Sequence, residues 1–327
     1  VKEFLKARVL RPTSRDFTCL LLDTHQEIQA RASGNLHKDD DGIVAGDYVL
    51  IDETSYGHMI VEVLERKNII SRHVIREDKR KTTAANCDVM VIVVSLTYPA
   101  FKRGILDRYL VRAYEWDIEP VIVWNKLDQL NNEDGPKDFW SEEIERLRSL
   151  NLTFYFVSSK KDSTHLSFGH WGSLLTLKAD LSGKTAIFLG QSGVGKSSLI
   201  SCLTDFRVTL KDQAIGKVNK GVHTTTWSEV IPCGDFDLID SPGIRSFSLS
   251  DLKKEELISY FPDLAAISRL CFFRNCNHSP STKGCAFEEL YDRKNTQDLH
   301  LLSRLDSFCQ IFEELAVKPS WEKKKFD

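Results

Sequence analysis

No stretch of this chain approaches the ~18–20 consecutive apolar residues of a membrane-crossing helix, and no membrane partner is expected. The first ten residues, VKEFLKARVL, lack the apolar core and small-residue cleavage site of a secretory signal. Val stands at position 1, which reads as a trimmed or partial start. An excess of one charge is also missing: 44 Lys and Arg against 47 Asp and Glu leave a formal net charge of −3. That balance does not exclude nucleic acid, because binding follows the distribution of charge. A disulfide framework is absent too. Cys19, Cys87, Cys202, Cys233 and Cys309 stand singly in apolar contexts, as reduced core thiols do. There is no internal repeat. The expectation is a cytoplasmic protein, and 327 residues leave room for two or three cores.

Residues 1 to about 76 alternate apolar and polar positions in short runs, FTCLLLD, EIQARAS, GDYVLID and HMIVEVLE, separated by turn-rich spacers. This pattern predicts a small antiparallel barrel or sandwich; a five-stranded OB-type barrel fits the length, and so does a plain meander. The segment ERKNIISRHVIREDKRK then carries Arg66, Lys67, Arg72, Arg76, Lys79, Arg80 and Lys81, either a solvated linker or a polyanion surface. From residue 86 the texture changes. CDVMVIVVSL reads as a strand buried on both faces. KRGILDRYLVRAYEW has helical spacing, with Ile105, Tyr109, Leu110 and Ala113 on one side. Strands PVIVW, LTFYFVS and KTAIFLG alternate with helices DFWSEEIERLRSL, GSLLTLKAD and GKSSLISCLTDF, which predicts a parallel, doubly wound α/β sheet.

Three short motifs carry chemistry. GQSGVGKS matches the phosphate-loop pattern at Gly190, Gly195, Lys196 and Ser197. Its glycines let successive N–H groups of Gln191, Ser192, Gly193 and Val194 face phosphate oxygens at a helix N-terminus, continued by Ser198. Lys196 is expected on the β- and γ-phosphates and the Ser197 hydroxyl on Mg²⁺. Downstream, FDLIDSPG ends a strand in Asp240, a carboxylate for the Mg²⁺ shell through water, and Gly243, whose N–H is placed to sense the γ-phosphate. Between them GVHTTTWSEV offers Thr224, Thr225 and Thr226; Thr225 is the first choice as Mg²⁺ ligand, and a Thr-rich strand is the bland alternative. Finally, NKLD at residues 125–128 follows a buried strand and precedes FVSSK by one α/β unit. There Asp128 would accept from guanine N1–H and its 2-amino group, Asn125 would face the O6/N7 side, and the Lys126 stem would cover the ring beside Leu127. The loop Ser158, Ser159 and Lys160 would meet the O6.

The Cys/His cluster C-x4-C-x-H-x6-C at Cys271, Cys276, His278 and Cys285 supplies three thiolates and an imidazole, a closed tetrahedral zinc set. A disulfide and plain free thiols are the competing readings.

These motifs run base-reading, base loop, phosphate loop, switch, Mg²⁺ aspartate, a circular permutation of the usual GTPase order. On VEVLERKNIISR, VWNKLD, GQSGVGKSSLI, GVHTTT, DSPGIRSFSL and CFFRNCNHSPSTKGCAF the chain resembles the circularly permuted GTPases of small-ribosomal-subunit biogenesis, the RsgA or YjeQ family. The resemblance implies an OB-fold RNA-binding domain over residues 1–78, a permuted GTPase domain over 79–262 and a zinc-binding helical domain over 263–327. It further implies GTP or GDP, Mg²⁺ and one structural Zn²⁺, and the small ribosomal subunit with its rRNA as partner of a monomer. Two positions depart from that pattern: Val222 stands where a basic residue precedes the histidine, and the interval between His278 and Cys285 is one residue longer.

Ile244 follows DSPG where a Ras-type enzyme has its water-orienting Gln. His223 is the nearest replacement, able to hold or accept a proton near neutral pH; packing or an RNA contact is the alternative. The expected activity is GTP hydrolysis, intrinsically slow at about 10⁻⁴–10⁻³ s⁻¹ and accelerated by a ribosomal particle. An RNA-binding checkpoint factor that needs GTP occupancy but little catalysis is a second reading. A P-loop ATPase or nucleotide kinase with an accidental NKLD is a third.

Overall fold

A computed structural model describes residues 3–13, 16–34, 36, 42–74, 79–130, 137–160, 172–208, 228–241, 249–292 and 299–316. The chain forms two compact units, one of residues 1–101, 116–135 and 153–246, the other of 102–115, 136–152 and 247–327. The second unit thus joins the C-terminal segment to two stretches lying, in sequence, within the α/β region.

In the first unit, β1 (Leu5–Pro12), β2 (Asp16–Leu21), β3 (Glu27–Ala32), β4 (Tyr48–Thr54) and β5 (Gly57–Val63) close a barrel in the order β1-β2-β3-β5-β4. All its pairings are antiparallel except β3 with β5, which is the OB closure and not a simple meander. Period-two alternation points Ala7, Val9, Phe17, Cys19, Ile28, Ala30, Val49, Ile51 and Ile60 inward. A hairpin of β6 (Ile69–Val74) and β7 (Lys79–Ala85) follows.

The same unit holds a six-stranded sheet of β8 (Val89–Ser95), β9 (Glu119–Asn125), β10 (Thr153–Phe156), β11 (Thr185–Leu189), β12 (Glu229–Pro232) and β13 (Asp237–Asp240). Its order is β10-β9-β8-β11-β13-β12, with every neighbour parallel except the edge pair β12–β13. Every residue of β8 is buried, as its unbroken apolar run predicts. Val89, Val91, Val93, Val121 and Val123 share one core cluster with Leu174, Leu177 and Leu181 of α3 (Leu174–Leu181) and with Leu199, Ile200 and Leu203 of α4 (Lys196–Leu203). The antiparallel edge strand departs from the all-parallel expectation. A short hairpin needs no crossover helix, so β12 and β13 pair directly.

Barrel and sheet are joined by charge. Arg8 of β1 is buried, donating to Asp237 at 2.5 Å and to the Thr185 hydroxyl at 2.7 Å. Arg11 on the same strand donates to Glu229 at 2.7 Å. Asp88, at the foot of β8, accepts from Lys67 at 2.8 Å and from the Thr185 N–H at 2.9 Å.

The second unit consists of α1 (Arg103–Glu115), α2 (Lys137–Ser149), a 3-10 segment Lys254–Tyr260, α5 (Pro262–Ser268), α6 (Glu288–Asp292) and α7 (Leu299–Ala316). Val111, Leu257, Phe261, Leu264, Phe287, Leu305, Phe308 and Ile311 make its core. α1 buries more than the single apolar face its spacing predicts, because Asp107 and Arg112 go inside with the hydrophobic residues. Asp107 accepts from Arg146 at 2.5 Å and Arg304 at 2.7 Å, and Arg304 also grips Asp263 at 3.0 and 3.1 Å. Four mutually paired charges therefore tie α1, α2, α5 and α7 together. Among the described residues, no helix is long and apolar enough to cross a membrane.

Candidate nucleotide site and metal cluster

The sheet reverses its winding at β8 and β11. Ligands of open α/β sheets bind outside the carboxyl ends of the strands at such a point. The phosphate-loop residues Gly190–Gly195 connect β11 to α4 there, and NKLD begins on the last residue of β9. The loop can take this path only with glycine. A Cβ on Gly190 (φ 149°) would lie 2.2 Å from the Val93 carbonyl oxygen, and one on Gly195 (φ 92°) 2.4 Å from Asn125 Nδ2. Gln191, Ser192, Gly193 and Val194 form the turn, and Lys196, Ser197 and Ser198 open α4. The Lys196 ammonium donates to the Gly190 and Gln191 carbonyls at 2.7 Å each, so it points back over the loop that the helix N-terminus polarises.

Asn125 is completely buried and serves both loops. Its Nδ2 donates to the Val194 carbonyl at 3.0 Å and to Ser159 Oγ at 3.1 Å, and its Oδ1 accepts from the Ser159 N–H at 3.1 Å. The sequence reading set this side chain against the base; in the structure both ends of its amide hold protein. Lys126 sits in the left-handed region (φ 71°), followed by the 3-10 turn Leu127–Gln129, and its ammonium donates to the Tyr98 carbonyl. Asp128 is oriented by Ser158, whose buried hydroxyl donates to Oδ1 at 2.7 Å and accepts from the Lys160 N–H at 3.2 Å. The Leu127 N–H donates to the Val157 carbonyl at 3.0 Å, which clips the NKLD turn to the 158–160 loop.

Three residues escape motif reading. Ser95 caps the loop after β8 by donating to the Tyr98 carbonyl at 3.0 Å, while Thr97 bonds Gln129 at 2.7 Å. Cys202 on α4 donates to the Ser159 carbonyl at 2.9 Å, and burial raises its thiol pKa. The available signal for the first two was SLTYP, which begins on the last residue of a fully buried strand. For Cys202 there was none beyond helical position.

Asp240 closes β13, and beyond it Ser241 shares a 2.7 Å hydroxyl contact with Ser228 ahead of β12. His223, Thr224, Thr225, Thr226, Gly243 and Ile244 lie outside the described residues, as does Val222.

In the second unit, the ligand atoms of Cys271, Cys276, His278 and Cys285 all fall within 4.8 Å of one another. Cys271 Sγ is 3.5 Å and Cys285 Sγ 3.7 Å from His278 Nδ1, and the two sulfurs are 4.0 Å apart. A tetrahedron with metal–sulfur bonds of about 2.3 Å has edges of about 3.8 Å, so the donor set fits a metal ion. Backbone N–H groups of His278 and Ala286 point at Cys276 and Cys271 sulfurs at 3.4 and 3.3 Å. His278 is buried against the rings of Phe287 and Phe308, 5.1 and 5.5 Å away. Burial lowers the imidazole pKa, keeping the neutral ligand form, and pushes the Cys285 thiol up to about 12. A cation is what would offset that cost of ionising buried sulfur.

The RsgA GTPase family model matches residues 63–250. The Small ribosomal subunit biogenesis GTPase RsgA of Azobacteroides pseudotrichonymphae genomovar. CFP2 is 33% identical over 322 residues, covering 95% of this chain and 97% of that protein. RsgA 2 of Bacteroides thetaiotaomicron is 30% identical over 301 residues, covering 89% and 91%. Among solved structures, YjeQ from Thermotoga maritima superposes with a TM-score of 0.74 at 25% identity over 97% of this chain and all of that one. YloQ, a circularly permuted GTPase, gives 0.72 at 26% identity over 97% of each. Family model, relatives and permuted fold agree with the motif order, and the chain belongs to the RsgA GTPase family.

Proposed function

We propose that this GTPase assists late maturation of the small ribosomal subunit, docking on and leaving its rRNA according to the bound nucleotide, in the cytoplasm and as a monomer. The observation that carries the nucleotide half of this reading is Asn125, which joins the base-reading motif, the base loop and the phosphate loop through one buried amide. A guanine nucleotide spanning those loops would meet Asp128 at its Watson–Crick edge and the 190–198 turn at its phosphates. Ser197 and Asp240 are hard oxygen donors suited to Mg²⁺, Asp240 through water, with Thr225 as the switch ligand. Bound there, Mg²⁺ would neutralise charge on the β- and γ-phosphates. Lys196 would leave its loop carbonyls for those oxygens, Gly243 would sense the γ-phosphate, and His223 would hold the attacking water. The Cys271–Cys276–His278–Cys285 set would hold one structural Zn²⁺, with no open position for chemistry. The ribosomal half is supported by the names of the relatives.

The test is GTP turnover by the full chain with purified small subunits, large subunits, or neither. Stimulation confined to the small subunit is expected; equal turnover in all three arms overturns the reading. His223→Ala separates catalysis from docking. Lost stimulation with retained GTP-dependent binding is expected, whereas unaltered hydrolysis would favour the checkpoint reading.

A further inference from the structure

The loop that carries the metal cluster also carries an exposed apolar surface. Leu270 is 78% exposed, Phe272 80% and Phe273 51%, three large hydrophobic side chains within four positions. Single exposed hydrophobics need no explanation, but a cluster does. The Phe272 and Phe273 rings meet edge to face, 4.9 Å between centroids at 83°, leaving ring faces open to solvent.

This surface is held stiff. The Phe272 N–H donates to the Gly284 carbonyl at 3.0 Å, and a Cβ on Gly284 (φ 75°) would come within 3.2 Å of Phe272 Cβ. Cys271 precedes Phe272 and Cys285 follows Gly284, so two of the cluster's sulfur ligands bracket the strand-like contact that presents the ring. A rigid aromatic side chain loses little conformational freedom when a partner covers it.

Charge identifies the partner's chemistry. Residues 269–287 include Arg269, Arg274 and Lys283 and no Asp or Glu, and the carboxylate nearest in the chain, Glu288, is engaged by the Gly284 N–H at 3.2 Å. All three cations are exposed; Arg274 follows the aromatic pair in sequence, and Lys283 precedes the Gly284 whose carbonyl takes the Phe272 N–H. Open ring faces flanked by cations match bases stacked on the rings with phosphates on the cations. Double-stranded RNA keeps its bases inside the stack, so the match is to unpaired nucleotides. We propose that Phe272 and Phe273, with Arg269, Arg274 and Lys283, form a stacking platform for single-stranded RNA. The proposal deepens the ribosomal reading above and rests on it for the identity of the RNA, but not for the binding itself.

The experiment uses the full metal-loaded chain and an unstructured 12-nucleotide RNA of mixed sequence, with a duplex of equal length as the comparison. Phe272→Ala is expected to weaken single-strand binding about 5- to 150-fold, the range of one base–aromatic stack. Phe272→Tyr, which keeps the ring, should stay within about twofold of the unaltered chain on the same grounds. Arg274→Gln should weaken binding and reduce the salt slope by about 0.7, one phosphate contact on a single strand. Metal content and GTP turnover without ribosomes should be unchanged in all three, which excludes misfolding as the cause.

Unchanged binding by Phe272→Ala, equal losses for the Ala and Tyr variants, a preference for the duplex, or no measurable binding by the unaltered chain at 50 mM salt overturns the proposal. Normal RNA binding by Phe272→Ala combined with weakened binding to small subunits would reassign the patch to a protein partner, and the proposal falls. Failure of the ribosomal reading shows instead as absent stimulation by small subunits, with the oligonucleotide result intact.

Discussion

Replacing Asp128 with Asn is a change of one atom whose orientation the structure dictates. The Ser158 hydroxyl is buried, accepts from the Lys160 N–H, and sends its own proton to Asp128 Oδ1. In Asp128→Asn the amide oxygen must therefore occupy the Oδ1 position, because an NH₂ there would face the hydroxyl proton. The new NH₂ then takes the place of Oδ2, turning an acceptor into a donor against guanine N1–H and its 2-amino group. The retained oxygen can keep one bond; the lost one, to a charged acceptor, is worth about 1.5–3 kcal/mol, and the donor left facing a donor costs about 1–3 kcal/mol more. Asp128 is partly exposed, so the lower ends apply: about 2.5 kcal/mol, or roughly a 60-fold loss of GDP affinity. Xanthosine diphosphate carries a carbonyl at C2 in place of the amino group and should gain what GDP loses. Adding Ser158→Ala frees the amide to flip, so the double variant should discriminate less than Asp128→Asn alone. Titration calorimetry with both diphosphates measures this. GDP binding within about threefold of the unaltered chain, or no gain for the xanthosine ligand, would refute the orientation argument and the role of Asp128.

Asp107→Asn should remove the carboxylate charge shared by the buried Arg146 and Arg304, leaving Arg304 to Asp263 alone and Arg146 to Glu143 at 3.6 Å, and cost about 3–5 kcal/mol. At about 4 °C per kcal/mol for a unit of this size, calorimetry should show a melting transition about 12–20 °C lower; a shift under about 4 °C would mean the ion pairs are dispensable. Cys285→Ser should abolish stoichiometric zinc in elemental analysis while sparing GDP affinity, and an unchanged metal content would exclude Cys285 as a ligand. Burial works to raise the Asp88 carboxyl, yet the Lys67 hydrogen bond and the Thr185 N–H outweigh it and hold its pKa below the ordinary 3.8. A depressed carboxylate contributes stability above that value and loses it as pH falls through its own lower pKa. In urea unfolding, Asp88→Asn should be less stable than the unaltered chain at pH 5, and the gap should close toward pH 3; a constant gap contradicts the linkage.

Local chemistry was legible in the sequence and remote pairing was not. The phosphate loop and NKLD each lie within a few residues and the Cys/His cluster between Cys271 and Cys285, so each is written in one short stretch of chain. The sheet's core strands were equally plain, since an unbroken run such as Val89–Val94 has little use except between two covered faces. The barrel's alternation gave its inward residues but left OB closure and meander equal, because the parallel β3–β5 pairing leaves no trace in either strand. Arg8 reads in sequence as a polar position of an outward-facing strand, yet its partner Asp237 lies 229 residues away. Asp107 and Arg112 look like the solvent side of an amphipathic helix until Asp251, Arg304 and Arg146 are brought to them. Charge buried against charge has no periodicity, so the hydrophobic pattern assigns it to water. Asn125 was found by motif, but its bonds to the 158–160 and 190–195 loops were not legible, because they depend on two loops that only the sheet brings together.

The strand order has a consequence for how the molecule is made and held. Residues 89–156 supply β8, β9 and β10, all on one side, and residues 185–240 supply β11, β13 and β12, all on the other. The sheet is two contiguous half-sheets meeting at a single seam, Ala186–Leu189 against Val89–Ile92. A guanine nucleotide bound as proposed at the end of that seam would have its base on one half and its phosphates on the other, and so would work as a rivet. At a ligand concentration 100-fold above Kd it adds about 2.7 kcal/mol to the joined state. During synthesis the half that carries NKLD is complete before Gly190 exists. The nascent chain therefore cannot fasten itself around a nucleotide until the second half-sheet has been added to the first.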